Sequence, residues 1–490
     1  MSWTKEDLQQ LVTTKLANQL FIVVSNREPY IHVLSNDGIK SIVPASGLTV
    51  ALDPVMRACG GTWIAHGSGS ADWQVVDDRN RILVPPELPC YTLRRIQLSR
   101  EEEEGYYLGF SNEALWPLCH IAYVAPTFDE SNWNIYKNVN QCFADAVLEE
   151  IDDRKAFVFI QDYHLALLSR LIKARNDKVI TAQFWHIPWP NPEAFRICPW
   201  GEQLLDGLLG NDMIGFHIHY HCNNFIETVR LMLESRVDHE RMAVSRRGKT
   251  TFIRPFPISV DFSCISAEAD NPEIRNEIET IRHKWKLSNK IIGIGIDRLD
   301  YTKGIPHRIL ALDKLLSRYP EYQERIVFFQ LGETSRIDIK KYQELNLEID
   351  ELVENVNRKY QTSSWKPIVF IREHKSQLTL TAFKRLADFC IVSSLHDGMN
   401  LVAKEYVSSR TDEDGVLILS RFTGAARELT DAILINPYAT DHFAESIRTA
   451  IEMSPEERKL KMKKLRKVVE ENNIYRWAGN IISELVNLGL

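Results

Sequence analysis

Arg298 and Lys303 stand five residues apart in the stretch IIGIGIDRLDYTKGIPHR at 291–308, two fixed cations at the exit of an apolar run. The run reads as a buried strand, and Gly304 with Pro306 reads as the turn into a following helix. In open α/β sheets ligands collect at the carboxyl ends of strands, where a helix start adds free N–H groups and a positive dipole end. A diphosphate suits that arrangement; a salt-bridged surface turn, Arg298 on Asp300, is the plainer alternative. The segment SSLHDGMNLVAKEYV at 393–407 follows the same plan. There the run 389–392 leads to Asp397 and Gly398, then to a helical pattern through Leu401, Val402, Ala403 and Tyr406. Asp397 falls at the start of that helix and Glu405 about two turns along.

The first half of the chain offers a different set of groups. Arg27 follows the run 21–24, and Gly47, in Ser46-Gly47-Leu48, would let a backbone approach a ligand closely. Asp162-Tyr163-His164 follows the run 158–160, and His186 follows 183–185. Pro188 and Pro190 hold His186 in a fixed, non-helical loop, which suits a pre-organised hydrogen bond. Tyr106, Tyr107, Phe110 and Trp116 lie in EGYYLGFSNEALWP, whose Gly, Ser, Asn and Pro predict a partly looped segment. Rings in such a loop make a sugar-stacking platform; on one helix face they would be core instead. His217, His219 and His221 alternate and on a strand would share a face, but no carboxylate or cysteine completes a metal site, so packing is the simpler reading. Neither G-x-G, at 293 and 295 or at 67 and 69, extends to a dinucleotide fingerprint.

These groups need strands to carry them. Apolar runs at 21–24, 121–124, 156–160, 179–185, 213–216, 291–296, 326–331, 368–371, 389–392 and 416–420 alternate with helical patterns. That alternation predicts an α/β class with parallel sheets covered on both faces. Ten strands in 490 residues suit two domains, dividing near PFPISVDF at 255–262. The expected division is 1–258, 259–470 and a closing helix, 471–490, packing back on the first domain. Two such domains would leave a cleft between their sheet edges for a two-substrate reaction. Residues 1–20 form an amphipathic packing helix with Leu8, Leu11, Val12 and Leu16 on one face.

Composition narrows the function. The net charge is −7, with 26% charged and 44% hydrophobic residues, and the Lys-rich run 459–467 reads as a solvated helix face, so no nucleic-acid partner is expected. The eight cysteines form no C-x-x-C pair, which predicts a reducing compartment. Lys5, Glu6 and Asp7 spoil a signal peptide, and no run reaches the roughly 18 apolar residues of a membrane span. A cytoplasmic protein without a membrane partner is expected.

Taken together, SNR at 25–27, SGL at 46–48, YYLGFSNEALWP at 106–117, QDYHL at 161–165, HIPWPNPEAF at 186–195, DRLDYTKGIP at 297–306, TSR at 334–336, DGMNLVAKEYV at 397–407 and FTGAAREL at 422–429 form an ordered series. The series resembles the trehalose-6-phosphate synthase family, retaining glycosyltransferases of GT-B fold with two Rossmann-like domains and an interdomain active-site cleft. The resemblance implies glucose transfer from a nucleotide-glucose to glucose 6-phosphate, giving trehalose 6-phosphate, with no cofactor and no metal. Arg298, Lys303, His186 and Asp397 are then the catalytic group. Gly47, Arg298, Lys303, Asp397, Gly398, Met399, Asn400, Leu401 and Glu405 are donor-binding by the same token. Arg27, Tyr107, Trp116, Asp162 and Arg336 are acceptor-binding. Three positions depart from the family pattern: Ser46 for a glycine, His66 for a tryptophan and His396 for an arginine. His66 falls on the acceptor side, so the acceptor stays open between glucose 6-phosphate and glycerol 3-phosphate. A non-catalytic sugar-phosphate sensor would lose donor residues that this chain keeps. The base of the donor, among UDP, ADP and GDP, and the oligomeric state, homo-oligomer included, also stay open.

Overall fold

The computed structural model describes residues 2–16, 19–36, 38–44 and 47–489. The chain divides into two compact units, one of Met1–Ile258 with Ile474–Leu490 and the other of Ser259–Asn473. Ser46 lies outside the described residues.

The first unit carries β1 (Leu20–Arg27), β2 (Ile31–Ser35), β3 (Gly38–Ile42), β4 (Thr62–His66), β5 (Arg81–Val84), β6 (Tyr91–Ile96), β7 (Ala156–Gln161), β8 (Ile180–Phe184), β9 (Met213–Phe216), β10 (Arg236–Asp238), β11 (Ala243–Arg246) and β12 (Lys249–Pro255). Among the described residues, ten form one sheet in the order β10-β11-β12-β9-β8-β7-β1-β4-β6-β5, and β2 and β3 pair as a separate hairpin. From β12 to β6 the neighbours are parallel; β10, β11 and β5 add antiparallel edges. β4 and β7 are buried at every residue, as expected of parallel strands covered on both faces.

The second unit carries β13 (Ile291–Arg298), β14 (Ile326–Glu333), β15 (Ile368–Ile371), β16 (Phe389–Val392), β17 (Val416–Ser420) and β18 (Ile433–Ile435). All pairs are parallel, in the order β15-β14-β13-β16-β17-β18. The chain winds outward from β13 to β15, then returns to β16 and winds the other way. β13 and β16 are therefore neighbours at a topological switch point, where open parallel sheets bind ligands.

Nine of the ten expected strands are present. The exception is 121–124: Ile121 takes a left-handed conformation (φ 50°) that ends a helix, and the following residues are loop. The aromatic segment is helical rather than looped. A helical turn at Arg100–Glu103 continues as π-helix through Glu104–Leu115 and as α-helix through Trp116–His120. Pro117 is tolerated because it sits in the opening turn of its α-helical part. The alternating histidines do not share a strand: His217 follows β9, while His219 and His221 begin the helix His219–Met232. No group of three or more metal-ligating side chains occurs among the described residues. The chain closes on two helices, Pro455–Glu471, which carries the Lys-rich run, and Ile474–Asn487, where the closing helix was expected. The second packs on the first unit, where the Trp477 indole meets Phe159 and Phe184 and donates to the Phe256 carbonyl at 3.2 Å. No helix among the described residues is long and apolar enough to cross a membrane.

Candidate active site

In the second unit the exits of β13 and β16 bring the two charged turns together. β13 ends at Arg298, and Asp300 caps a short turn, Tyr301–Lys303. The Asp300 carboxylate, 1% exposed, accepts from the Thr302 amide at 3.0 Å and hydroxyl at 2.9 Å. Its other oxygen accepts from the Tyr342 hydroxyl at 3.0 Å and from Arg336 at 3.3 Å. Burial alone would raise its pKa, but Arg336, Arg298 and Lys303 outweigh it and hold the carboxyl below the usual range. The ion pair that secures the turn is thus Asp300 with Arg336.

Lys303 projects from that turn and donates to Asp397 Oδ2 at 2.6 Å, both side chains little exposed. The following Gly304 has φ 63°, and a Cβ there would stand 2.2 Å from the Ser393 carbonyl oxygen, so only glycine lets the turn lie against the end of β16. Asp397 Oδ2 also accepts from Ser394 Oγ at 3.0 Å and Asn400 Nδ2 at 3.2 Å. Asn400, strained at φ 121°, caps the helix Leu401–Ser409 by accepting from the Ala403 amide at 3.1 Å. Gly398, Met399, Asn400 and Leu401 therefore lead into a helix N-terminus whose free amides and dipole favour an anion. Glu405 lies one turn further on and accepts from the buried Lys384 at 2.5 Å. Arg336 belongs to this unit, and Arg27, Tyr107, Trp116 and Asp162 to the other; its side chain is 3% exposed and its backbone takes φ 50°.

In the first unit β1 ends at Arg27, whose Nη2 donates to the Tyr107 hydroxyl at 2.8 Å. Tyr107 stacks on His164 with ring centroids 5.7 Å apart. It belongs to the π-helix, where the Asn112 amide donates to the Tyr107 carbonyl at 2.7 Å and the Tyr163 hydroxyl donates to Asn112. Rare π-turns of this kind frequently mark functional sites. Trp116 packs on His120 and Tyr163, whereas Tyr106 and Phe110 are core, in contact with Tyr136. Of the four rings of the expected platform, Tyr106 and Phe110 are thus taken up by the core.

Asp162 follows β7 at φ 68°, a conformation costly for a non-glycine residue and one that clusters at active sites. Its carboxylate accepts from the His186 amide at 3.1 Å, tying two strand exits together. His186 Nε2 sits 2.9 Å from Gln161 Oε1. Loss of hydration, with His164 adding to it, pushes the imidazole pKa down to about 3, so the ring is neutral and donates from Nε2. His66, at the end of β4, is in register with Arg27 and is held neutral chiefly by burial. Gly47 opens the helix Gly47–Cys59 with its backbone exposed.

Sequence reasoning missed the groups that hold these turns. Arg95, fully buried, joins Glu28, the chain neighbour of Arg27, at 2.7 Å and Asp72 at 3.0 Å. Lys384 and Tyr342 anchor Glu405 and Asp300. A long polar side chain within an otherwise apolar strand or helix, Arg95 in β6 and Lys384 in the helix Gln377–Leu386, was the available signal.

A family model described as glycosyltransferase family 20 matches residues 19–487. The chain is 34% identical over 477 residues to the UDP-forming alpha,alpha-trehalose-phosphate synthase of Botryotinia fuckeliana, covering 96% of this chain and 89% of that protein. Among solved structures, an E. coli protein described as trehalose-6-phosphate bound with UDP-2-fluoro glucose superposes with TM-score 0.85 at 30% identity, over 95% of this chain and 99% of that one. A UDP-forming alpha,alpha-trehalose-phosphate synthase from Burkholderia xenovorans in complex with glucose-6-phosphate gives TM-score 0.85 at 29% identity, with the same coverage.

Proposed function

The chain belongs to glycosyltransferase family 20, and from that premise we propose that it transfers glucose from UDP-glucose to glucose 6-phosphate, forming α,α-trehalose 6-phosphate with retention at the anomeric carbon. The observation that carries this reading is the meeting of Lys303 and Asp397 at the switch point between β13 and β16, beside a helix N-terminus.

Breaking the sugar–phosphate bond builds negative charge on the departing diphosphate. Arg298 and Lys303 supply fixed positive charge there, and the amides from Gly398 to Leu401 supply pre-oriented dipoles, none of which must reorganise during reaction. Asp397, held by Lys303, Ser394 and Asn400, presents a carboxylate to the donor sugar's hydroxyls. Glu405 takes the ribose, and Gly47 gives the donor a close backbone approach. Arg27, Tyr107, Trp116 and Asp162 receive the acceptor, Arg27 pairing with its phosphate, and Arg336 is a further acceptor ligand. His186, neutral and oriented by Gln161 and Asp162, offers a hydrogen bond to the reacting sugar without adding charge. Transfer proceeds by front-face attack: the acceptor hydroxyl bonds to the anomeric carbon as the phosphate leaves from the same face and takes the hydroxyl proton. No pair of carboxylates of the glycosidase kind is needed.

A cytosolic setting accords with two phosphorylated substrates and with eight free thiols. The test is a panel of UDP-, ADP- and GDP-glucose against glucose 6-phosphate and glycerol 3-phosphate, read by product mass. Trehalose 6-phosphate from UDP-glucose is expected; turnover with glycerol 3-phosphate alone overturns the acceptor assignment.

A further inference from the structure

Beneath the Arg298–Gly304 turn lies a fully buried arginine, Arg308, in the helix Ile305–Arg318. Its guanidinium reaches three strands. Nη1 donates to Asp297 at 2.8 Å in β13 and to Gln330 at 2.7 Å in β14, while Nε donates to Ser393 Oγ at 3.1 Å, just after β16. Ser393 Oγ in turn lies 3.1 Å from both the Lys303 and the Gly304 carbonyl oxygens. The hydroxyl thus passes the arginine's anchorage on to the backbone of the turn that carries Lys303.

Two further observations mark this as a built device. Gly295, inside β13, has no side chain because a Cβ there would stand 2.0 Å from Arg308 Nη1. A strand interior disfavours glycine, so the position is given up to the guanidinium. Arg308 Nη2 is buried without a hydrogen-bond partner among the described residues, a cost that packing alone would remove by using an apolar side chain.

We propose that Arg308 is a positioning residue for the donor diphosphate: through Ser393 it fixes the Lys303–Gly304 backbone, and so sets Lys303 against Asp397. The proposal rests on the reading of Lys303 as a diphosphate ligand. Lysine at 308 keeps the charge but cannot span Asp297, Gln330 and Ser393 together, because it lacks the planar fork.

The test is a double-mutant cycle read by calorimetric titration with UDP and, separately, with glucose 6-phosphate, on protein checked for folding by thermal melting. Arg308→Lys is expected to weaken UDP binding about tenfold with glucose 6-phosphate binding unchanged, and to add less than about twofold when Lys303 is already alanine. Parent-like UDP binding by Arg308→Lys, additive losses, or equal losses for both ligands overturn the proposal. Parent-like UDP binding by Lys303→Ala instead overturns the underlying reading of the turn. Should Arg308→Lys fail to fold, Ser393→Ala leaves the buried ion pair intact; it is expected to weaken UDP binding about threefold, and no change rejects the relay.

Discussion

The expected ligands in the second unit are held by ion pairs and those in the first by rings and a neutral imidazole, while the first unit's buried ion pairs, Arg95 with Glu28 and Asp72, involve none of those ligands. Around the β13 and β16 exits, Lys303 meets Asp397, Arg336 meets Asp300 and Lys384 meets Glu405, each pair little exposed. Around β1, β7 and β8, Arg27 is the one cation among the expected ligands, and its neighbours are Tyr107, His164, Trp116 and a His186 that carries no charge at neutral pH. The difference matches the two ligands proposed. A leaving diphosphate gains charge during reaction and needs pre-set cations, whereas an acceptor sugar needs shape, stacking and hydrogen bonds around a single phosphate. On the proposed reading, the charged half acts on the barrier and the aromatic half on acceptor choice.

That contrast can be broken most sharply at the charged half. Lys303→Ala or Arg298→Ala is expected to lower kcat/KM for UDP-glucose about 10²–10³-fold, measured by steady-state kinetics, since each removes a pre-organised charge from the departing group. Arg27→Ala is expected to raise the KM for glucose 6-phosphate roughly 10- to 100-fold while UDP affinity holds, because it deletes charge-assisted hydrogen bonds to one ligand only. Gly304→Ala bears on the scaffold: left-handed backbone alone costs about 1–2 kcal/mol for a residue with a Cβ, and the Ser393 carbonyl adds a clash, so denaturant melts should show at least that loss.

The smallest effects are in pH. His186, with its pKa pushed down to about 3, stays neutral across about pH 5–8, so kcat/KM should show no inflection from it there. Its lowered pKa means the unfolded chain takes up the proton first, so this contribution is present above pH 6.5 and is lost as pH falls from 6.5 towards 3. Glu28, beside Arg27, has the opposite sign. Burial, then its hydrogen bond with Asp72, raises its pKa from 4.5 to about 8, so its contribution is full below pH 4.5 and lost as pH rises through 8. Thermal melts of Glu28→Gln should lack that alkaline loss.

The charged half was largely legible in the sequence, because each of its turns is one short segment: an apolar run, a charged turn, then a glycine or asparagine into a helix. Local rules suffice for such units. Arg308, Tyr342 and Lys384 were not legible, since what defines them is reach across three strands or from another helix. The aromatic half was harder for a further reason. Gly, Ser, Asn and Pro between 105 and 117 read as loop, yet close packing on the helix Glu130–Ile151, through Phe110 against Trp133 and Tyr136, overrode local propensity and drew the segment into a π-helix. The stretch 121–124 has a strand's composition, but Ile121 ends a helix in the left-handed conformation and the residues after it are loop. The strands outside the ten runs, β2 to β6, β10 to β12 and β18, are three to seven residues long and most mix polar with apolar residues, so they do not announce themselves as apolar runs.

The most direct test of the division between halves is a paired titration of UDP and glucose 6-phosphate against Lys303→Ala and Arg27→Ala. Lys303→Ala should lose UDP affinity about tenfold or more and keep glucose 6-phosphate affinity within about twofold, and Arg27→Ala should do the reverse. A Lys303→Ala protein that binds UDP normally and loses glucose 6-phosphate would contradict the account.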